Sequence, residues 1–175
     1  MARSAIEHLQ RGEPPWTVTW PASRDEAHEL ARALQAKGVV ARVLRGWKMG
    51  SWDGSYSEIG AALQFPPYFG ENLNALHDCL TDLSWLPGPA YAVIVADAHL
   101  LLRGAQPDSL GAFLDHIRLA GERWAEPRDP DKPWGHREVP FHAVLQVPAA
   151  EVRRFGERLA RAGHKPPRVD FDLNG

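Results

Sequence analysis

The sequence predicts an α/β domain built on a small, mostly parallel sheet. Three observations carry this expectation. Segments of strand and helix character alternate over the 175 residues in the order βα, βαα, βαα, β, α, as in a parallel sheet with crossover helices. Residues 91–96 (YAVIVA) form a continuous apolar run, the composition of a central strand covered on both faces. The first strand, helix and second strand are joined by short links, which favours a parallel, right-handed unit.

Each element has a local reason. Residues 1–15 are polar, carry two prolines and are expected to be loosely ordered. Residues 16–20 (WTVTW) are aromatic and β-branched, hence a short strand. Ser23 with Glu26 makes a capping box for a helix that runs to about Lys37 and stops at Gly38. Residues 39–44 (VVARVL) are the next strand, followed by a loop with Trp47 and Trp52. Ser55 and Glu58 have capping-box spacing, predicting a helix to about Gln64.

After the strand at 91–96, Asp97 stands where ligands bind in open α/β sheets, though a helix-capping role fits equally. Asp108 or Ser109 caps a helix to about Trp124, and the proline-rich residues 126–140 are a loop. Residues 141–147 (FHAVLQV) are a further strand, and Pro148 opens a helix to about Ala162. Residues 168–173 (RVDFDL) alternate as an edge strand would.

The most informative stretch is 65–83, FPPYFGENLNALHDCLTDL. Its prolines fix a turn, and Gly70 is the residue suited to an unusual backbone conformation. Glu71 or Asn72 starts a helix, Asn72 being the better N-cap by type. At 100° per residue, Leu73, Leu76, Leu80 and Leu83 form one apolar stripe, with Cys79 beside it. Asn74, His77, Asp78, Thr81 and Asp82 fall on the opposite arc. Most such arcs are solvated helix faces and nothing more.

Charge distribution argues for more. Residues 49–102 contain no lysine or arginine and six acids: Asp53, Glu58, Glu71, Asp78, Asp82 and Asp97. That window carries −6, and the remaining 20 basic and 22 − 6 = 16 acidic residues carry +4, giving the net −2. Soluble surfaces usually interleave both signs, so a long one-sign segment suggests a field that steers a basic partner.

Composition narrows the class. A hydrophobic share of 44% and a charged share of 24% are those of an ordinary globular protein. No apolar run is long enough to span a membrane, and no apolar signal core opens the chain, so a cytoplasmic protein without a membrane partner is expected. Cys79 is the only cysteine, which rules out an internal disulfide and reads as a buried thiol. The eight histidines show no HExxH spacing and there is no CxxC, so no metal or other cofactor is expected. A pI near 6.4 without a basic cluster argues against direct nucleic-acid binding.

The run YFGENLNALHDCLTDL at 68–83 resembles the signature of the barstar family, small bacterial proteins that inhibit ribonucleases. The resemblance spans roughly residues 39–147 of one domain covering 1–175. It implies a barstar-like fold whose three parallel core strands are 39–44, 91–96 and 141–147. Residues 16–37 would then be an N-terminal strand–helix addition extending the sheet, and 148–162 a C-terminal helical addition. It further implies that the helix and the loop before it plug a basic nuclease site, where carboxylates stand in for phosphate. By matching position, Asp78 is the central inhibitory acid and Tyr68 the aromatic that packs on the enzyme. Asn74 stands where the family usually has Asp, and His77 where it often has an aromatic. Asp82 adds an acid one turn beyond Asp78. Asp115 or His116 falls near a later acidic contact.

The expectation is therefore a non-enzymatic, immunity-type inhibitor of a bacterial ribonuclease toxin, monomeric when free. Its partner face would comprise Tyr68, Phe69, Gly70, Asn72, Asn74, His77, Asp78, Asp82 and Asp115. The alternative is an acidic-faced module for a basic partner that is not a nuclease. An enzyme using His77, Asp78 and Asp97 would require a cleft joining the three.

Overall fold

Four strands, β1 (Thr17–Pro21), β2 (Val40–Arg45), β3 (Tyr91–Ala96) and β4 (Phe141–Val147), form one sheet in the order β1-β4-β3-β2. The computed structural model describes residues 5–133 and 135–173. Every pairing is parallel, so the sheet is wholly rather than mostly parallel. β3 and β4 are buried at every position, as central strands are. The N-terminal strand β1 extends the sheet from the β4 edge.

Crossover handedness sorts the helices onto two faces. The β1-to-β2 connection carries α2 (Arg24–Ala36) across the sheet in one direction. The return path carries α3 (Trp52–Ala62), α4 (Leu73–Asp82) and α5 (Ser109–Ala125) the other way, so right-handed crossovers place them opposite α2. The two cores follow. Leu30 and Leu34 of α2 pack on Ala92, Ile94 and Val144. Leu76, Leu80, Phe113 and Ile117 pack on Val93, Val95 and Leu145, and are joined by Phe155 and Leu159 of α6 (Val152–Arg161).

The capping box at the start of α2 is complete: the Ser23 hydroxyl accepts from the Glu26 N–H, and the Glu26 carboxylate accepts from the Ser23 N–H. Gly38 ends this segment at φ 84°, a conformation glycine adopts at no steric cost. The second predicted box does not form. Ser51 caps α3 by accepting from the Gly54 N–H at 3.1 Å, which starts the helix before Ser55. Trp52 then stacks on Tyr56 one turn later at 5.3 Å, burying surface that a later start would forfeit. Ser55 instead donates to the Ser51 carbonyl, and Glu58 turns inward.

Both chain ends also depart from expectation. Residues 5–15 are not loose: α1 (Ala5–His8) buries Ile6, and Leu9 follows it onto the α2-side core. Residues 1–4 of that expected loose segment lie outside the described residues. Residues 168–173 do not form an edge strand. They make one parallel bridge, Thr19 to Arg168, and anchor through Phe171 against the Trp20 ring. Pro166 and Pro167 have no N–H to extend the ladder.

Candidate protein-binding face

The loop at 65–72 is held from beneath by aromatic side chains. Phe69 lies edge-on to Phe65 at 4.9 Å and to Tyr56 at 6.0 Å, and Phe65 meets Trp85. Phe69, predicted to contact a partner, is thus half-buried and anchors the loop. Tyr68, beside it, is 73% exposed. The left-handed backbone position is Glu71 (φ 48°), not Gly70. The reason is local: the Asn72 Nδ2 donates to the Gly70 carbonyl while its Oδ1 accepts from the Ala75 N–H, which swings the chain over at Glu71. Asn72 is therefore the N-cap, and its side chain is spent on positioning.

α4 presents the predicted two faces. Leu76, Leu80 and Leu83 are buried, with Cys79 among them, and Leu73 is half-buried. Burial, reinforced by Asp78 and Asp82, pushes the Cys79 thiol up, so it stays protonated and inert. Asn74, Asp78 and Asp82 are exposed. Partial desolvation and then the Asp82 charge raise the Tyr68 phenol, which places Tyr68 and Asp82 in one electrostatic neighbourhood. Among the described residues, neither Asp78 nor Asp82 forms an ion pair.

Other predicted site residues lie elsewhere. His77 is half-buried in the seam with α5, its ring edge-on to His116 at 6.1 Å. Asp115 faces away from this seam and lies 3.4 Å from His164 and 3.7 Å from Arg118, so it does not join Asp78. Glu58 is buried and bidentate on Arg45, both contacts 2.8 Å, with the Arg45 N–H donating as well. The Arg45 guanidinium holds the Glu58 carboxyl below its usual range. Asp97 is buried, left-handed at φ 52° and paired with Arg24, so it is structural rather than a ligand position. Trp52 is half-buried and donates to the Ser109 hydroxyl, whereas Trp47 sits under Arg24.

One neighbour escaped sequence reasoning. Arg128 of the 126–140 loop lines a hollow of about 490 Å³ with Asp78, Asp82 and Trp124. No periodicity or motif in that proline-rich loop could have placed it there. The acidic end of α4 thus has one basic border. Among the described residues, no group of three His, Cys, Asp or Glu is placed to hold a metal. Among the described residues, no helix is long and apolar enough to cross a membrane.

The profile of one protein family, described as "Barstar (barnase inhibitor)", matches residues 39–146, which run from the start of β2 almost to the end of β4 and include the loop and α4. The chain belongs to the barstar family. β1, α1 and α2 precede the matched residues and α6 follows them. By that description the family is one of barnase inhibitors.

No curated protein matches the chain. Among solved structures, the chain aligns with the Aeropyrum pernix ORC2 protein in its ADP form at a TM-score of 0.51 and 11% identity. That alignment covers 92% of this chain and 43% of the other, so the chain spans less than half of it. A chain from Drosophila ORC bound to AT-rich DNA and Cdc6 aligns at a TM-score of 0.44 and 12% identity, covering 96% and 50%. At such identity the first likeness concerns the α/β fold alone, and the second is too loose even for that.

Proposed function

We propose that this barstar-family chain is an immunity-type inhibitor of a bacterial nuclease toxin, and that it blocks a basic active site with α4 and the 65–72 loop. The observation that carries this is the pairing of Tyr68, 73% exposed, with Asp78 and Asp82, both free of cationic partners among the described residues. A carboxylate with no partner at home is available to a guanidinium or ammonium of a phosphate-binding site. The helix bearing it is capped by Asn72 and seated on Leu76 and Leu80, so little ordering remains to be done on binding. Asn74 leaves the family's usual first acid position neutral, which favours a nuclease other than barnase itself, with Asp82 supplying charge one turn further on.

The test is capture of the partner from the source cell with the tagged full chain, followed by a nuclease assay with increasing inhibitor. Stoichiometric loss of nuclease activity, relieved by Asp78→Ala, is the expected result. A captured basic protein without nuclease activity would replace this reading with the non-nuclease module.

A further inference from the structure

Around α6 the surface changes sign. Arg154, Arg158 and Arg161 of α6 converge with Arg103 and His99, from the segment after β3, around a cavity of about 410 Å³. Glu151 is the single carboxylate in its wall, so four guanidiniums leave a net +3 there. Elsewhere in the molecule Arg24, Arg45, Arg118, Arg123 and Arg153 each hold a carboxylate. Among the described residues none of the four cavity arginines does.

Two details mark the cavity as built rather than incidental. Arg158 is half-buried and braced, donating to the His99 carbonyl at 3.3 Å and to the Leu101 carbonyl at 2.7 Å. Burial first, and then the charges of Arg103 and Arg161, work against its protonated form, a penalty that a bound anion would relieve. His99 Nδ1 is buried and meets no hydrogen-bonding group among the described residues. The location is also apt. His99 follows β3 and α6 follows β4, so the cavity lies beyond the carboxyl ends of two adjacent parallel strands, where open α/β sheets bind ligands.

We propose that this cavity binds a phosphoryl group, as free phosphate or as the phosphate of a small ester. All four cations are arginine, whose planar donor fork matches tetrahedral oxyanions, and a dianion offsets more of the +3 than a carboxylate does. The volume exceeds that of the phosphoryl group alone and falls within the range of small-ligand pockets. This site is independent of the acidic face and stands or falls separately from it.

The experiment titrates inorganic phosphate, pyrophosphate and a nucleoside monophosphate into the full chain at fixed ionic strength, with chloride and acetate as controls, by calorimetry and thermal unfolding. Saturable binding of at least one phosphate compound, with a raised unfolding temperature, is expected. In the double variant Arg154→Gln/Arg161→Gln, affinity should fall by roughly tenfold or more, while the ligand-free protein unfolds as the parent does, since both side chains are exposed. Arg103→Gln, in a different segment, provides a second variant should the first fold poorly. Tighter binding of the monophosphate assigns the site to an ester, and tighter binding of phosphate assigns it to the free ion; either supports the proposal. Absence of saturable binding, an equal response to chloride, or unchanged affinity in well-folded variants overturns it.

Discussion

Glu58 and Asp78 come from the same arginine-free window of sequence, yet the fold gives them opposite tasks. Glu58 is buried and clamped by Arg45, which enters from the end of β2. Asp97, in the same window, is likewise held, by Arg24 at the start of α2. Asp78 and Asp82 reach solvent with no cationic partner among the described residues. Of six acids, two are neutralised at home and 6 − 2 = 4 remain to shape the field. A one-sign stretch of chain is therefore not a one-sign surface. Parallel strands gather residues from distant segments at one edge of the sheet. Gly46 shows how tightly this is done: a Cβ there would collide with the carbonyl oxygens of Ala96 and Asp97.

The sharpest test of this contrast exchanges the two losses. Asp78→Ala should weaken nuclease binding by about 2–5 kcal/mol, chiefly through faster dissociation, because it strands a desolvated cation on the partner. Glu58→Ala should leave dissociation unchanged. Surface plasmon resonance on both variants decides the matter, and equal losses would erase the distinction between the two carboxylates.

Stability should show the reverse order. Glu58→Gln removes a charged acceptor of the Arg45 guanidinium and backbone, costing roughly 1–3 kcal/mol, with the half-exposed Arg45 side chain keeping the cost below that of a fully buried pair. The pH dependence follows from the lowered Glu58 pKa. A depressed carboxyl contributes stability that is fully present above its unfolded value and is lost as pH falls through its folded value. Denaturant unfolding of the parent should therefore weaken on acidification below the ordinary glutamate range, and Glu58→Gln should flatten that part of the profile. An unaltered profile would mean the ion pair contributes nothing to folding.

A smaller effect belongs to Arg128. It borders Asp78 and Asp82, opposing the field that the unpaired acids generate. Arg128→Ala should speed association with a basic nuclease by a few-fold at low salt, and the gain should fade once the Debye length shrinks to about 8 Å at physiological ionic strength. A gain that persists in high salt would point to a conformational cause instead of steering.

Much of this architecture was legible in the chain. β3 announces itself because it is apolar throughout, as a strand covered on both faces is, and α2 and α4 because their caps and apolar stripes are local signals. The exposure of Asn74 and Asp78 follows from the helical period of α4, as does the burial of Cys79. What stayed hidden depends on contacts between distant residues. Arg24 and Asp97 are 73 positions apart, and no local pattern joins them. Ile6 and Leu9 are too few to show a period, and only the presence of a core face beneath them orders α1. The family resemblance points to Asp115 or His116, but the rotation of α5 relative to α4 is fixed by how the helices pack, and packing brings His116 to the seam.

The smallest expected effect is also the one that separates function from folding most cleanly. α4 has no basic residue in its last turn, and Asp82 stands there instead. The carbonyls at a helix C-terminus carry partial negative charge, so a carboxylate in that turn is repelled. Asp82 is therefore a stability cost to its own helix, whereas Glu58 is a gain to its neighbours. Asp82→Asn keeps an acceptor for the Ser84 N–H, which Asp82 Oδ1 meets at 3.3 Å, and removes only the charge. It should stabilise the free protein by about 0.3–1 kcal/mol at low ionic strength, with the gain shrinking as salt rises. The same variant should slow association with the nuclease. Chemical denaturation and stopped-flow association on one preparation measure both. A destabilised variant would show that Asp82 is held by contacts at home, and would place it with Glu58 rather than with Asp78.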